Sequence, residues 1–175
     1  MGVLSDLHLT EPTSEATFEH ALRWFDAQKA DAVIVCGDLT DLGIESQLQL
    51  AAETWFRVFP KNCRSDGAPI EKLFIYGDHD TGLNPKTLEH RVPDEAERRR
   101  LSIPENDRKA IWERYFHEPW EQIRLKDVKG YKFVLNSFNA TKPDGDRSDW
   151  EYGQRAWGLP EFLERHAAEL EGAGP

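Results

Sequence analysis

The sequence predicts an α/β fold with adjacent parallel strands, and three observations in the first 80 residues carry that expectation. Three short β-type runs occur there, two segments of helical period separate them, and each run ends in Asp or Gly-Asp. Strands joined through helices pair in parallel, because a helix-length crossover returns the chain to the same end of the sheet.

The first strand is the stub Val3-Leu4. The second, residues 32–36, reads Ala-Val-Ile-Val-Cys, and the third, residues 73–76, reads Leu-Phe-Ile-Tyr. The latter two are near-continuous apolar runs, as expected where both faces of a sheet are covered. Between the first and second strands, Phe18, Ala21, Leu22 and Phe25 recur at helical spacing after Pro12, Thr13 and Ser14, which supply starting and capping residues. Leu48, Ala51, Ala52, Trp55 and Phe59 do the same between the second and third strands, and Pro60 stops that helix. The order is therefore βαβαβ. Right-handed crossovers place the three strand C-termini on one sheet edge, where ligands of open α/β sheets bind.

Beyond residue 80 the chain becomes polar and charged. Asn84-Pro85 is a helix start, and Arg98-Arg99-Arg100, set among Glu95, Glu97 and Glu105, reads as a solvated helix face laced with ion pairs. A helix is expected over residues 106–116, and then a hairpin of 121–128 and 131–137 turning at Lys129-Gly130. Residues 138–153 form a polar loop. Leu159, Phe162, Leu163, Ala167 and Leu170 share one face of a last helix, with Pro160 near its first turn.

Composition narrows the function classes. The 175 residues, 39% hydrophobic and 31% charged, suffice for one domain with a core. A formal net charge of −10 disfavours a grip on nucleic acid backbone or an anionic membrane and leaves a small polar substrate or a metal ion compatible. No stretch approaches the ~18 consecutive apolar residues of a spanning helix, and the N-terminus lacks a signal-peptide pattern. Of the two cysteines, Cys36 in an apolar run is expected in the core and Cys63 at the surface, unbridged. A soluble protein of the reducing cytoplasm follows.

Chemistry-bearing residues gather at the strand ends. Asp6 and His8 lie one residue apart after the first strand, so continued extended geometry would project both toward one side of the sheet edge. Carboxylate and imidazole together suit a first-row transition ion. Gly37-Asp38 repeats the design after the second strand, where Gly permits close backbone approach and Asp can bridge two ions. Gly77-Asp78-His79-Asp80 repeats it after the third. Carboxylates converging on one point repel one another unless a cation is present, so the convergence points to metal.

Taken together, Asp6-Leu7-His8, Gly37-Asp38 and Gly77-Asp78-His79-Asp80 resemble the signature of the calcineurin-like metallophosphoesterase superfamily: Asp-x-His, Gly-Asp and Gly-Asn-His-Asp or Glu, each after a strand. Residues 131–170, with Tyr152-Gly153-Gln154, resemble the stretch preceding that family's fourth motif. The resemblance implies an αββα sandwich spanning residues 1–175 and hydrolysis of a phosphomonoester or phosphodiester at two metal ions, Mn, Fe or Zn. It further implies that Asp6 and His8 hold the first ion, Asp38 bridges both, and Asp78 helps hold the second. His79 would protonate the leaving alkoxide or stabilise the transition state, and Asp80 would orient His79.

The pattern departs from the family in two places. Asp78 stands where the family has Asn, adding a negative charge that repels an anionic phosphate. No Gly-His-x-His follows residue 80, and His20, His90, His117 and His166 read as structural or surface residues. A domain incomplete at its C-terminus is therefore expected, with an exposed sheet edge prone to self-association. The alternative to a hydrolase acting on a small phosphorylated substrate is a noncatalytic metal-binding or scaffold protein. Asp41-Leu42-Gly43, where phosphoprotein phosphatases have Asp-Arg-Gly, argues against that branch.

Overall fold

The computed structural model describes residues 1–10, 12–77, 79–80, 85–119, 122–128 and 131–137, together with 164, 167 and 168. A parallel sheet of β1 (Gly2–Leu4), β2 (Ala32–Cys36) and β3 (Glu71–Ile75) lies in that order, with β2 central. Gly2 pairs with Val33 and Leu4 with Val35, while Ala32 pairs with Glu71 and Cys36 with Ile75. Val33, Ile34 and Val35 are all buried, so both faces of the central strand are covered, as its continuous apolar run requires.

Two helices supply the crossovers. In α1 (Pro12–Ala27) the stripe Phe18, Leu22 and Phe25 is buried, and Arg23 and His20 face outward. Its approach to the sheet depends on Gly2, where a Cβ would lie 2.6 Å from the Phe25 ring. In α2 (Glu45–Val58) the buried face is Leu48, Ala51, Ala52, Trp55 and Val58. Arg57 of α2 ties the two helices by pairing with Glu15 at 2.9 Å and Glu19 at 2.8 Å. Pro60 ends the helical path as expected, and a short 3-10 turn follows over Pro60–Asn62, where Asn62 accepts from the buried Trp55 indole at 2.8 Å.

Three helices follow: α3 (Pro85–Arg91), α4 (Glu95–Leu101) and α5 (Glu105–Phe116). Asp94 caps α4 by accepting from the Glu97 N–H at 2.7 Å. Arg99 pairs with Glu95 and Arg100 with Glu97, the solvated, ion-paired face that the sequence predicts. Helix α5 delivers Trp112 and Phe116, both fully buried, with Phe116 against Phe74 of β3, which also packs on Trp55. Beneath them Lys72 of β3 is buried, donating to the Phe116 carbonyl and facing Glu118 at 4.0 Å, with its ammonium 4.9 Å from the Phe56 ring. A buried charge is tolerated only with such partners, and here they clasp the end of α5 to the sheet.

Strands β4 (Gln122–Val128) and β5 (Tyr131–Ser137) form the expected antiparallel hairpin. The turn at Lys129-Gly130, the 138–153 loop and most of the last helical segment fall outside the described residues; residues 164, 167 and 168 are helical. The mixed α/β architecture is thus an α/β sandwich. No helix among the described residues is long and apolar enough to cross a membrane. One expectation is corrected: Cys36 is exposed rather than in the core, because β2 ends there and its last residue stands on the sheet's C-terminal edge. Both cysteines are free.

Candidate metal centre

The parallel register of β1 and β2 continues past the strands into the loops. Asp6 N–H donates to the Gly37 carbonyl at 3.2 Å, His8 N–H to Asp38 at 3.0 Å and Leu9 N–H to Leu39 at 3.0 Å. Asp6-Leu7-His8 is therefore laced alongside Gly37-Asp38-Leu39. The chain is not extended there, which corrects the sequence expectation: φ is +54° at Asp6, +43° at His8 and +49° at Asp38. Left-handed backbone at a non-glycine residue costs about 1–3 kcal/mol, and it persists where surrounding hydrogen bonds over-determine it. The inter-loop bonds do that here. Strain gathered at three such neighbouring residues is typical of functional sites.

Two glycines let the loops close. Gly37, at φ +89°, adopts a conformation that glycine permits without cost. At Gly77 a Cβ would fall 2.0 Å from Asp38 Oδ1 and 2.4 Å from the Asp38 nitrogen, so only glycine leaves room for that carboxylate. Asp38 Oδ1 in turn accepts from the His79 N–H at 3.2 Å.

The result is convergence. Ligand atoms of His8, Asp38 and His79 all lie within 4.8 Å of one another, and the two imidazoles stand edge to face with centroids 4.5 Å apart. His8 Nδ1 is buried without a hydrogen-bond partner, with Asp41 Oδ1 3.4 Å away. An orphaned imidazole nitrogen beside a second imidazole and a carboxylate is a donor set that fits Mn, Fe or Zn.

Two buried carboxylates support the group. Asp80 is 2% exposed, and its oxygens take four hydrogen bonds: Thr40 N–H at 2.7 Å, Thr40 Oγ1 at 2.8 Å, Gly77 N–H at 2.8 Å and Leu39 N–H at 3.1 Å. Burial pushes its pKa up to about 6, against the pull of those bonds. Asp80 thus rivets the loop after β2 to the loop after β3. Asp41 stands at the heart of the site. Its backbone carbonyl lies 2.6 Å from His79 Nδ1, and its Oδ1 lies 3.9 Å from the same nitrogen.

The sequence matches the calcineurin-like phosphoesterase family over residues 1–166. The chain belongs to that family. No curated protein matches it.

Calcineurin-like phosphoesterases typically depend on two metal ions, and the His8, Asp38 and His79 group is where this member can hold metal. Of the residues singled out in the sequence, these three come together. Asp6 does not join them: it is exposed, and its carboxylate accepts from the Ser5 hydroxyl. Asp78 lies outside the described residues. Asp80, expected to orient His79, takes its bonds from the loop backbones and the Thr40 hydroxyl, and the contact to the His79 ring comes from Asp41 instead. Sequence reasoning used Asp41 only within Asp41-Leu42-Gly43 and gave it no role at the site, although its position three residues after Asp38, beside a Gly-Asp motif, was the available signal.

Proposed function

We propose that this phosphoesterase hydrolyses a small phosphate ester at a two-metal centre, with His8 and Asp38 as ligands, Asp78 adding to the protein's share, and His79 beside the scissile bond. What supports the reading above all is the convergence of His8, Asp38 and His79 within 4.8 Å.

His8 and Asp38 would hold Mn, Fe or Zn there, and the metal would supply acidification of a water and neutralisation of charge on the phosphoryl oxygens. The chain's own residues do the rest. A carbonyl can only accept, so the Asp41 oxygen 2.6 Å from His79 Nδ1 keeps the proton on that nitrogen and leaves Nε2 as the nitrogen that can serve the substrate. When the ester P–O bond breaks, the leaving oxygen takes a proton from Nε2 of the imidazolium, whose ring the Asp41 carbonyl holds through Nδ1. Asp80 holds the loops that carry Asp38 and His79 in register, so that the reacting groups are oriented before substrate arrives.

One observation favours a second reading, a noncatalytic metal-binding scaffold: Asp78 stands where the family has Asn, and its added negative charge opposes an anionic substrate. The two part in a single experiment. Metal content by elemental analysis is paired with Mn²⁺-stimulated turnover of p-nitrophenyl phosphate and bis(p-nitrophenyl) phosphate. Stoichiometric metal with turnover supports the hydrolase, and stoichiometric metal without turnover selects the scaffold.

A further inference from the structure

Asp41 has two oxygens, and they face in different directions. Oδ1 is turned to the imidazoles of His8 and His79, at 3.4 and 3.9 Å, while Oδ2 lies 3.8 Å from Nε of Arg91, the last residue of α3. The guanidinium is thereby one carboxylate away from the metal group. Its side chain is 63% exposed, so a pair with Asp41 contributes little to stability. The fold does not depend on that contact.

The arginine is nevertheless held in place. Arg98 of α4 donates to the carbonyls of Val92 at 2.8 Å and Pro93 at 2.6 Å, and Val92 N–H returns to Leu88 at 2.8 Å. These bonds brace the turn immediately after Arg91. With the Nε edge toward Asp41, the terminal nitrogens of the planar fork have no partner among the described residues and are offered to an acceptor in solvent.

We infer that Arg91 is the substrate-binding cation of this site and that it selects a dianionic phosphomonoester group over a monoanionic diester. The inference rests on the hydrolase reading and extends it to a substrate class. The sheet edge is rich in carboxylates, with Asp6, Asp38, Asp41 and Asp80 on its loops, and a phosphate approaching it meets repulsion that a bidentate guanidinium offsets. That attraction scales with ligand charge. A monoester dianion gains more from it than a diester monoanion and offers an additional unesterified oxygen to the fork.

Binding without turnover tests this. Inorganic phosphate, largely dianionic at pH 8 because its second ionisation lies near about 6–7, and dimethyl phosphate, a monoanion, are titrated calorimetrically into the Mn²⁺-loaded wild type, Arg91→Met and Arg91→Lys. Loss of a charge-assisted hydrogen bond predicts that Arg91→Met weakens inorganic phosphate by about tenfold or more. Arg91→Lys retains part of the affinity, and dimethyl phosphate changes by no more than about threefold. Unchanged phosphate affinity in Arg91→Met, equal weakening of both ligands, or a wild type that binds neither overturns the inference. Thermal melting and Mn²⁺ stoichiometry of each variant separate loss of binding from loss of fold. Should wild type turn over p-nitrophenyl phosphate while Arg91→Met matches it in kcat/KM and phosphate affinity, this inference fails and the hydrolase reading stands. Should wild type bind phosphate through Arg91 yet hydrolyse nothing, the reverse holds.

Discussion

His79 Nδ1 lies 2.6 Å from the backbone carbonyl of Asp41, and the side chain of the same Asp41 reaches His8. One residue therefore sets the tautomer of one imidazole and places negative charge beside both. The backbone contribution survives a change of side chain. Asp41→Asn preserves shape and removes only the charge, and it is expected to lower kcat about 10–100-fold, the usual cost of losing an outer partner of a metal site. Assay with p-nitrophenyl phosphate at saturating Mn²⁺ checks this; an unchanged kcat would confine Asp41 to holding the His79 ring through its carbonyl.

Gly77→Ala directs a methyl group into Asp38, 2.0 Å from Oδ1 and 2.4 Å from the backbone nitrogen. Rotating the carboxylate relieves the first clash but not the second. The loops must separate, at a cost of about 2–3 kcal/mol by analogy with overpacked cores. Denaturant unfolding of the metal-free protein should show the loss, and Mn²⁺ affinity measured by calorimetry should fall with it. Wild-type stability in this variant would mean that the two glycine loops are not in contact.

Asp80 gives a pH dependence with a definite sign. Its folded pKa, pushed up to about 6, exceeds the ordinary value of 3.8, so between those limits the folded state binds more protons than the unfolded one. Stability of the metal-free protein contributed by this group is then fully present below about pH 4 and declines as pH rises through 6, by an order of 3 kcal/mol. Asp80→Ala abolishes this component of the slope and orphans the N–H groups of Leu39, Thr40 and Gly77, for a net loss of about 3 kcal/mol or more at acid pH. Thermal melts in chelator from pH 4 to 7 compare the two proteins.

Asp78 stands where the family carries Asn, and its extra charge opposes an anionic substrate. Asp78→Asn is expected to raise kcat/KM for p-nitrophenyl phosphate several-fold, about the effect of removing one like charge in a partly solvated site. No gain at saturating metal would count against repulsion as the consequence of this residue.

The sequence alone determined the elements and the place of the chemistry. The apolar runs at 32–36 and 73–76, the helical stripes through Phe18 and Trp55, and the acidic residues after each strand are local patterns, and local periodicity specifies local structure. Parallel pairing then brings strand ends together, so Asp38, His8 and His79 could be named as one site without coordinates. What each carboxylate touches was decided only in three dimensions. Asp80 and Thr40 are 40 residues apart, the loops that kink Asp6, His8 and Asp38 into left-handed backbone are likewise distant along the chain, and Arg91 reaches Asp41 from a helix of its own. A motif states which residues sit at a strand end; the direction of their side chains follows from hydrogen bonds between distant loops, which no spacing along the chain records. For that reason the tertiary structure, and not the sequence, gave the His79 contact to Asp41 and the loop-fastening bonds to Asp80.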